Sequence, residues 1–454
     1  MNITTENYDF SKGFDISSDI FERKPLFEQM KRLVINSPDE NLVFALDDIW
    51  GSGKTSFVKM LKSEFILNHR EQVDVIYFDA FENDYQSDPF ISISSELYAL
   101  LDSKGVEAEE IASKVLKAAT KIGIKTLAGG AKVAINALTA GVVNDSLINS
   151  VGKAFGDSIN SEIESFVQQK IKSVEEEKKS ISDFKKALED IYKHTQRKTL
   201  IIIDELDRAR PDYALELLEK IKHLFSVKGL VFLLVMNREQ FEKGITFRYG
   251  DIDTTTYLNK FIHYWFTLPK LSMTDFSRTG RYSNTTIAAY MNKLLRKNNS
   301  LGISHNGIFT SLTALLIESN NYSLREAERC ISTMLVVDNH EGLAVNENLY
   351  YMSALALVCF LKVTKPSVLK KVLRKESTYQ DILRELNISE DEIFNYSEPK
   401  VLSDLLEYHY LDPMELEKGR QENNPLIKRI EGIYSFDVDH IQDISSSLNN
   451  MIVR

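Results

Sequence analysis

The chain has 454 residues, a formal net charge of -11 and a hydrophobic share of 43%. This length accommodates two or three domains, and the apolar share excludes a disordered chain. The acidic balance argues against wholesale nucleic-acid binding, although a local basic patch stays open. Cys330 and Cys359 are the only cysteines and have no metal-ligand neighbours, and the polar opening MNITTENYDF does not match a signal peptide. We therefore expect a reducing, cytoplasmic compartment.

A helix is predicted ahead of the first strand, because apolar residues recur at helical spacing after Pro25. In many nucleotide switches the segment before the phosphate loop covers the base, so Phe21 and Arg23 are candidates for contact with adenine. An ordinary amphipathic helix explains the pattern equally well.

The stretch NLVFALDDIWGSGKTS, residues 41–56, predicts a buried strand, a tight loop and the start of a helix. The two loop glycines can adopt positive φ, so that successive backbone N–H groups converge on phosphate oxygens. Lys54 supplies a positive charge to the β- and γ-phosphates, and the Thr55 hydroxyl is placed to bind Mg²⁺. The predicted nucleotide-binding residues are Trp50, Gly51, Ser52, Gly53, Lys54, Thr55 and Ser56.

This Walker A loop departs from the consensus G-x-x-x-x-G-K-[ST] at its first position, where Asp48 replaces the glycine. Aspartate tolerates left-handed backbone better than most residues, so the turn can form. Its charge, however, lies close to a bound polyphosphate, which leaves the nucleotide affinity open.

A second strand is predicted over Val73 to Phe78, followed by Asp79 and Glu82 at its carboxyl end. Ligands collect at that edge of open α/β sheets, so these carboxylates are candidates for orienting water or Mg²⁺. A solvated loop is the favoured alternative.

Residues from about 90 to 196 predict a long helical insert, far longer than a strand crossover requires. Its Ala- and Gly-rich middle is interrupted by Lys117, Lys121, Lys125 and Lys132, so we expect no stable membrane span. An ordinary helical hairpin is favoured over a surface-lying or partner-binding helix.

The second motif, KTLIIIDELDRARPDY, predicts an apolar strand over Leu200 to Ile203 with two acids at its end. In a Walker B motif the first acid, here Asp204, holds Mg²⁺, and the second, Glu205, polarises the attacking water. Together with the phosphate loop, this Glu favours hydrolysis over binding alone.

Two further strands are predicted, over Leu230 to Met236 and Phe261 to Leu268. Asn237 follows the first of them and is expected to lie between the phosphate loop and the acidic strand, where it would position water. The alternative is a helix cap. The fold class is α/β, with a parallel five-stranded sheet covered on both faces and the acidic strand beside the phosphate-loop strand.

Residues 271–454 are almost entirely helical in pattern, which predicts a helical lid or effector domain after an NTPase domain over residues 1–270. The stretch LKVTKPSVLKKVLRK gathers basic side chains that could contact nucleic acid. A solvated helix face is the favoured alternative.

These motifs resemble the KAP family of P-loop NTPases, within the STAND and AAA-like group. The likeness lies in Trp followed by GSGKT, in the run DELDR with Pro211 soon after it, and in the segments ALELLEKIKHLFSVKGLVFLLVMNREQF and YLNKFIHYWFTLP. It covers roughly residues 19–269, with weaker similarity at NNYSLREAERCI.

The resemblance implies ATP hydrolysis with Mg²⁺. It also implies that a lid arginine, Arg325 first and Arg329 second, reaches the γ-phosphate; a charged helix face is the alternative. Independently of the resemblance, Arg208 follows the acidic strand and is expected at a rim where a neighbouring subunit could dock, so we expect a homo-oligomer or a partner protein. Many relatives insert transmembrane helices between the Walker motifs, and this chain is expected to be a soluble variant.

The sequence thus predicts a Mg²⁺-dependent ATPase that acts as a conformational or assembly switch, and the bacterial relatives imply a role in anti-phage defence. Two alternatives stay open. Asp48 favours a nucleotide-gated scaffold with little turnover, which Glu205 opposes, and the basic stretch alone favours a nucleic-acid-stimulated ATPase.

Overall fold

A computed structural model of the chain describes residues 9–37, 42–86, 88–102, 178–271, 285–297, 307–337, 349–431, 439–449 and 451. Its centre is a five-stranded, fully parallel sheet in the order β2-β3-β4-β1-β5. The strands are β1 Leu42–Asp47, β2 Val73–Asp79, β3 Lys198–Asp204, β4 Leu230–Met236 and β5 Tyr264–Thr267. The predicted α/β class and parallel sheet are confirmed.

The position of β3 in the sheet differs from the prediction. We expected the acidic strand beside the phosphate-loop strand, but β4 pairs with both β1 and β3 and separates them. Every residue of β4 is apolar and buried, as a strand with neighbours on both edges and helices on both faces requires. The carboxyl ends of β1 and β3 consequently flank that of β4, and Asn237 follows β4 at this edge.

The two faces of the sheet carry separate apolar cores, because successive strand residues point to opposite faces. In β1, Phe44 and Leu46 join one core and Val43 and Ala45 the other. The first core is covered by α1 Lys24–Asn36 and α2 Lys54–Asn68. The second is covered by α3 Pro89–Asp102, α4 over 178–195, α5 Pro211–His223, α6 Arg238–Tyr249 and α7 Thr254–Leu258.

The described part of the chain beyond residue 285 is helical and has an apolar core of its own. Its helices are α8 Thr286–Lys297, α9 Ile308–Ser319, α10 Leu324–Met334, α11 Leu349–Thr364, α12 Pro366–Arg374, α13 Tyr379–Glu385, α14 Glu390–Asn395, α15 Ser397–Tyr410, α16 Pro413–Gln421, α17 Pro425–Glu431 and α18 His440–Ser447. Phe21, from the amino-terminal segment, also packs in this core. The domain boundary at residue 270 stays a prediction.

The Ala- and Gly-rich part of the insert, with its four lysines, lies outside the described residues. Within the ranges that the structure describes, none of the helices combines the length and the apolar character that a bilayer crossing requires.

The basic stretch over 362–375 is engaged with the chain itself. The Lys365 ammonium donates to Asn320 Oδ1 at 2.6 Å, and Lys371 pairs with Glu385 at 2.6 Å. These contacts tie α12 to its neighbours and favour the structural interpretation of the stretch over nucleic-acid contact.

Candidate active site

The phosphate loop connects β1 to α2, and its two glycines have left-handed backbones, with φ of 79° at Gly51 and 91° at Gly53. At Gly51 a Cβ atom would lie 2.4 Å from the Ser323 hydroxyl oxygen, so a larger residue would collide as well as be strained. Helix α2 begins at Lys54, directly after this turn. The loop therefore points its backbone into the start of a helix, the arrangement that binds phosphate.

The Lys54 side chain contacts the first residues of the phosphate loop. Its ammonium group donates hydrogen bonds to the carbonyl oxygens of Asp48 at 2.6 Å and Ile49 at 3.0 Å. Burial lowers the pKa of Lys54, while the carboxylates of Asp207 and Asp48 oppose that shift. The ammonium group is thus a partly desolvated cation, which interacts with phosphate more strongly than one in bulk water.

Asp204 ends β3 with only 1% of its surface exposed. Its carboxylate accepts hydrogen bonds from the Tyr77 hydroxyl at 2.9 Å, from the Glu205 backbone N–H at 2.9 Å and from the Thr55 hydroxyl. Burial raises the pKa of Asp204. The hydrogen bonds act in the opposite direction, but the donors are neutral and do not outweigh burial.

The pair of Thr55 and Asp204 fits a magnesium ion. Mg²⁺ usually takes one or two protein oxygens together with waters and substrate phosphates, rather than a full protein cage. The described residues contain no group of three His, Cys, Asp or Glu side chains that could hold a metal alone.

Asp79 lies opposite Asp204 in the register of β2 and β3. The Asp79 Oδ1 accepts a hydrogen bond from the Glu82 N–H at 2.9 Å, so its side chain closes the loop after β2.

Glu205 has a left-handed backbone with φ of 56°, a conformation that costs a non-glycine residue about 1–3 kcal/mol. Its carboxylate pairs with the Arg208 guanidinium at 2.8 Å. Burial raises the pKa of Glu205, and Arg208 opposes the shift. The strained backbone directs a carboxylate of raised basicity toward the cavity at the phosphate loop.

Helix α10 from the carboxyl-terminal region begins against the phosphate loop. Its cap Ser323 and the Arg325 Cβ both lie within contact distance of Gly51. Together with the loop, α8 and the amino-terminal segment, it lines an open cavity of about 400 Å³. The lining residues are Phe10, Ser18, Ile20, Phe21, Arg23, Gly51, Gly53, Lys54, Thr55, Ser56, Met60, Glu205, Arg208, Tyr290, Lys293, Leu324, Arg325 and Glu328.

The structure brings most of the predicted site residues to this cavity, but not all of them. The predicted residues that are not among the lining residues are Trp50, Ser52, Asp204, Asn237 and Arg329. The Asn237 side chain caps α6 by accepting from the Gln240 N–H at 3.2 Å. Trp50 is 42% exposed and donates its indole N–H to Asp207 in the acidic motif.

The two residues proposed to cover the base differ in exposure and direction. The Phe21 ring lines the cavity, with its centroid 6.1 Å from that of Tyr290. Arg23 is 2% exposed, and its Nη2 donates to the Ser52 carbonyl at 3.1 Å, beneath the phosphate loop.

Sequence reasoning missed three participants: Tyr77, Tyr290 and Ser323. Tyr77 and Tyr290 carry no local signal, because their partners are distant in sequence. Ser323 had one, since S-x-x-E is a capping box, and the structure shows both of its hydrogen bonds with Glu326. That motif places Arg325 in the first turn of a helix.

A parallel sheet with a glycine-rich loop after β1 and paired acids after β3 makes this chain a P-loop NTPase by fold. The KAP family P-loop domain matches residues 23–340, and the chain belongs to that family.

Among solved structures, the chain is similar to the Aeropyrum pernix ORC2 protein in its ADPNP-ADP complexes, with 12% identity and a TM-score of 0.36 over 98% of this chain and 97% of that one. Cdc6p from Pyrobaculum aerophilum has 10% identity and a TM-score of 0.37 over 92% of this chain and 97% of that one. The Aeropyrum pernix ORC1 protein in complex with DNA has 12% identity and a TM-score of 0.31 over 81% of this chain and 77% of that one. TM-scores below 0.5 support no functional inference. A search of curated proteins finds no similar sequence.

Proposed function

We propose that the chain is a Mg²⁺-dependent ATPase whose nucleotide state is transmitted to its helical carboxyl-terminal region. One observation carries the proposal: α10 packs on Gly51, and its Arg325 lines the same cavity as Lys54 and Glu205. A triphosphate bound there would contact both halves of the chain.

The side chains divide the chemistry among them. Lys54 and the loop N–H groups bind the β- and γ-phosphates, and Phe21 lies beside the base. Thr55 and Asp204 hold the magnesium ion, which neutralises charge on the phosphates. Asp204 contributes because its carboxylate is buried and receives only neutral hydrogen-bond donors.

Glu205 accepts a proton from the attacking water. Its raised pKa makes it a stronger base than an exposed carboxylate, and its ion pair with Arg208 must loosen before it can reach water. Arg208 is then available for the phosphates, in its own chain or at a neighbouring subunit.

Arg325 provides the link to conformation. Charge spreads over the γ-phosphate oxygens in the transition state, and one lysine does not cover them all. A contact from Arg325 would hold α10 against the loop while the triphosphate is intact and release it after phosphate leaves. A homo-oligomer or partner assembly controlled in this way, with a role in anti-phage defence, extends the proposal along the family resemblance.

Phosphate release from ATP and Mg²⁺ tests the proposal. We expect steady turnover by the wild type and a loss of about 10²- to 10⁴-fold in Glu205→Gln, with ATP still bound. Glu239→Gln is the matched control, because Glu239 is an exposed carboxylate after β4 at the same edge of the sheet and does not line the cavity.

Equal turnover by wild type and Glu205→Gln would remove Glu205 from this role. Tight ATP binding without turnover in the wild type would instead favour a nucleotide-gated scaffold. That second candidate has one specific observation in its favour, the negative charge of Asp48 in the loop. Comparing the particle mass with and without a non-hydrolysable ATP analogue would show whether nucleotide controls assembly.

A further inference from the structure

Tyr77 lies on β2, next to the strand that ends in Asp204. Its ring packs against the core that α1 and α2 cover, and its hydroxyl group donates a hydrogen bond to Asp204 Oδ2 at 2.9 Å. In the register of the two strands Tyr77 lies opposite Ile202, two residues before the acid. The long side chain therefore extends along the sheet toward its carboxyl edge, where the proposed magnesium site lies.

Both oxygens of the Asp204 carboxylate receive hydrogen bonds, and the donors come from different parts of the fold. Oδ1 accepts from the Glu205 backbone N–H at 2.9 Å, and Oδ2 accepts from Tyr77. The Thr55 hydroxyl at the start of α2 donates to the same carboxylate. Donors on both oxygens restrict the rotation of the carboxylate plane, and a carboxylate has lone pairs left for a further ligand.

The chemistry of the Tyr77 hydroxyl suits this place. Groups that hydrogen-bond a metal-binding carboxylate from outside the metal's coordination shell orient it for the metal. A lysine or arginine beside Asp204 would compete with Mg²⁺ for the carboxylate, because charge-assisted pairs are strong. A neutral hydroxyl group orients the carboxylate without bringing a competing positive charge.

We propose that Tyr77 is a positioning residue for the magnesium site, whose hydroxyl group holds the Asp204 carboxylate in the orientation in which Asp204 and Thr55 can bind Mg²⁺ together. Tyr77 does not line the nucleotide cavity, so it acts through Asp204 rather than on the nucleotide. This inference rests on the proposed ATP and magnesium site. It adds a residue that lies in neither Walker motif.

Tyr77→Phe tests the inference, because it removes the hydroxyl group and keeps the ring in the core. The affinity of the full chain for a non-hydrolysable ATP analogue is measured by calorimetry, once with Mg²⁺ and once with EDTA. We expect the affinity in EDTA to stay at the wild-type value and the affinity with Mg²⁺ to fall about tenfold, the lower end of the range for such outer partners of a metal. Binding of Mn²⁺ to the analogue complex, followed by EPR, should weaken to the same extent.

Two further variants isolate the hydroxyl group. Tyr85→Phe is the matched control, since Tyr85 follows the same strand but is 79% exposed, and it should leave both affinities unchanged. Asp204→Asn removes the carboxylate through which Tyr77 acts. Adding Tyr77→Phe to Asp204→Asn should therefore cause no further loss, as expected for two residues that act through one contact.

Wild-type dependence on Mg²⁺ in Tyr77→Phe would overturn the inference. Equal losses of affinity with Mg²⁺ and with EDTA would also overturn it, because the hydroxyl group would then support the phosphate loop or the fold rather than the metal. A wild type that binds the analogue equally well with Mg²⁺ and EDTA would refute the proposed magnesium site, and this inference with it. A wild type that binds no analogue would refute the nucleotide site itself.

Discussion

One carboxylate in each half of the molecule is held by hydrogen bonds from neighbouring groups, yet the pKa values of the two shift in opposite directions. Burial raises the pKa of Asp204, since its hydrogen-bond donors are neutral. Burial also acts to raise the pKa of Asp439, but the hydrogen bond and charge of His409 outweigh it and lower that pKa. The His409 Nδ1 lies 2.8 Å from the carboxylate and joins α15 to the start of α18.

The difference lies in the hydrogen-bond partners that the protein supplies to each carboxylate. In the helical region the protein supplies the partner itself, and the pair stabilises the fold. At the end of β3 the hydrogen-bond donors to the carboxylate are neutral, and burial outweighs them. A carboxylate in such surroundings suits the magnesium site that we propose.

The largest effect should come from removing the cation of the phosphate loop. We expect Lys54→Ala to lose ATP binding, because the triphosphate then lacks its main charged partner in the loop. Calorimetry with ATP and Mg²⁺ measures this. Lys59→Ala is the matched control, an exposed lysine further along α2. Unchanged affinity in Lys54→Ala would show that this loop is not the nucleotide site.

The next effect separates the lid arginines. We expect Arg325→Ala to lower ATP turnover, with about 10³- to 10⁵-fold, the range known for arginine fingers, as an upper bound. Arg329→Ala should have little effect, because Arg329 does not line the cavity although it lies one turn further along α10. Steady-state phosphate release is the measurement, and equal losses in the two variants would contradict a specific role for Arg325.

The sequence predicted what depends on short segments. Strand β4 was placed correctly, and the loop at Lys54 and the acids at Asp204 and Glu205 were recognised because each motif is contiguous. The order of β3 and β4 in the sheet was not predicted correctly, because tertiary packing rather than local pattern determines which strands are neighbours.

Contacts between distant segments were likewise beyond local reasoning. Ser323 contacts Gly51 although more than half of the chain separates them in sequence, and a local pattern of residues cannot predict such a contact. Arg23 was linked to the base by analogy, whereas burial beneath the loop became visible only when α1 and α2 were placed together.

A smaller effect is expected when the Asp204 carboxylate is made neutral. We expect Asp204→Asn to raise the stability of the nucleotide-free protein by about 0.5–2 kcal/mol, because it removes a buried charge at the expense of function. Thermal unfolding without nucleotide or Mg²⁺ measures this at pH 7. A lowered melting temperature would mean that the carboxylate is already balanced within the protein, and the contrast with Asp439 would fail.

The smallest effect belongs to Asp439, where the opposite sign is expected. Asp439→Asn keeps the cap of α18, since asparagine can also accept the Gln442 N–H, but it removes the charge beside His409. The carboxylate is 43% exposed, so we expect a loss of only about 0.2–1 kcal/mol at pH 7. Because the folded-state pKa of Asp439 is lowered, this contribution is present above the ordinary carboxyl pKa and disappears as the pH falls through the folded value.

Melting temperatures of the wild type and the Asp439→Asn variant should therefore converge at low pH. Asp443→Asn is the control for the helix dipole, because Asp443 is an exposed acid in the same turn. A gap that persists once the pH is below the folded-state carboxyl pKa would contradict this account of the pair.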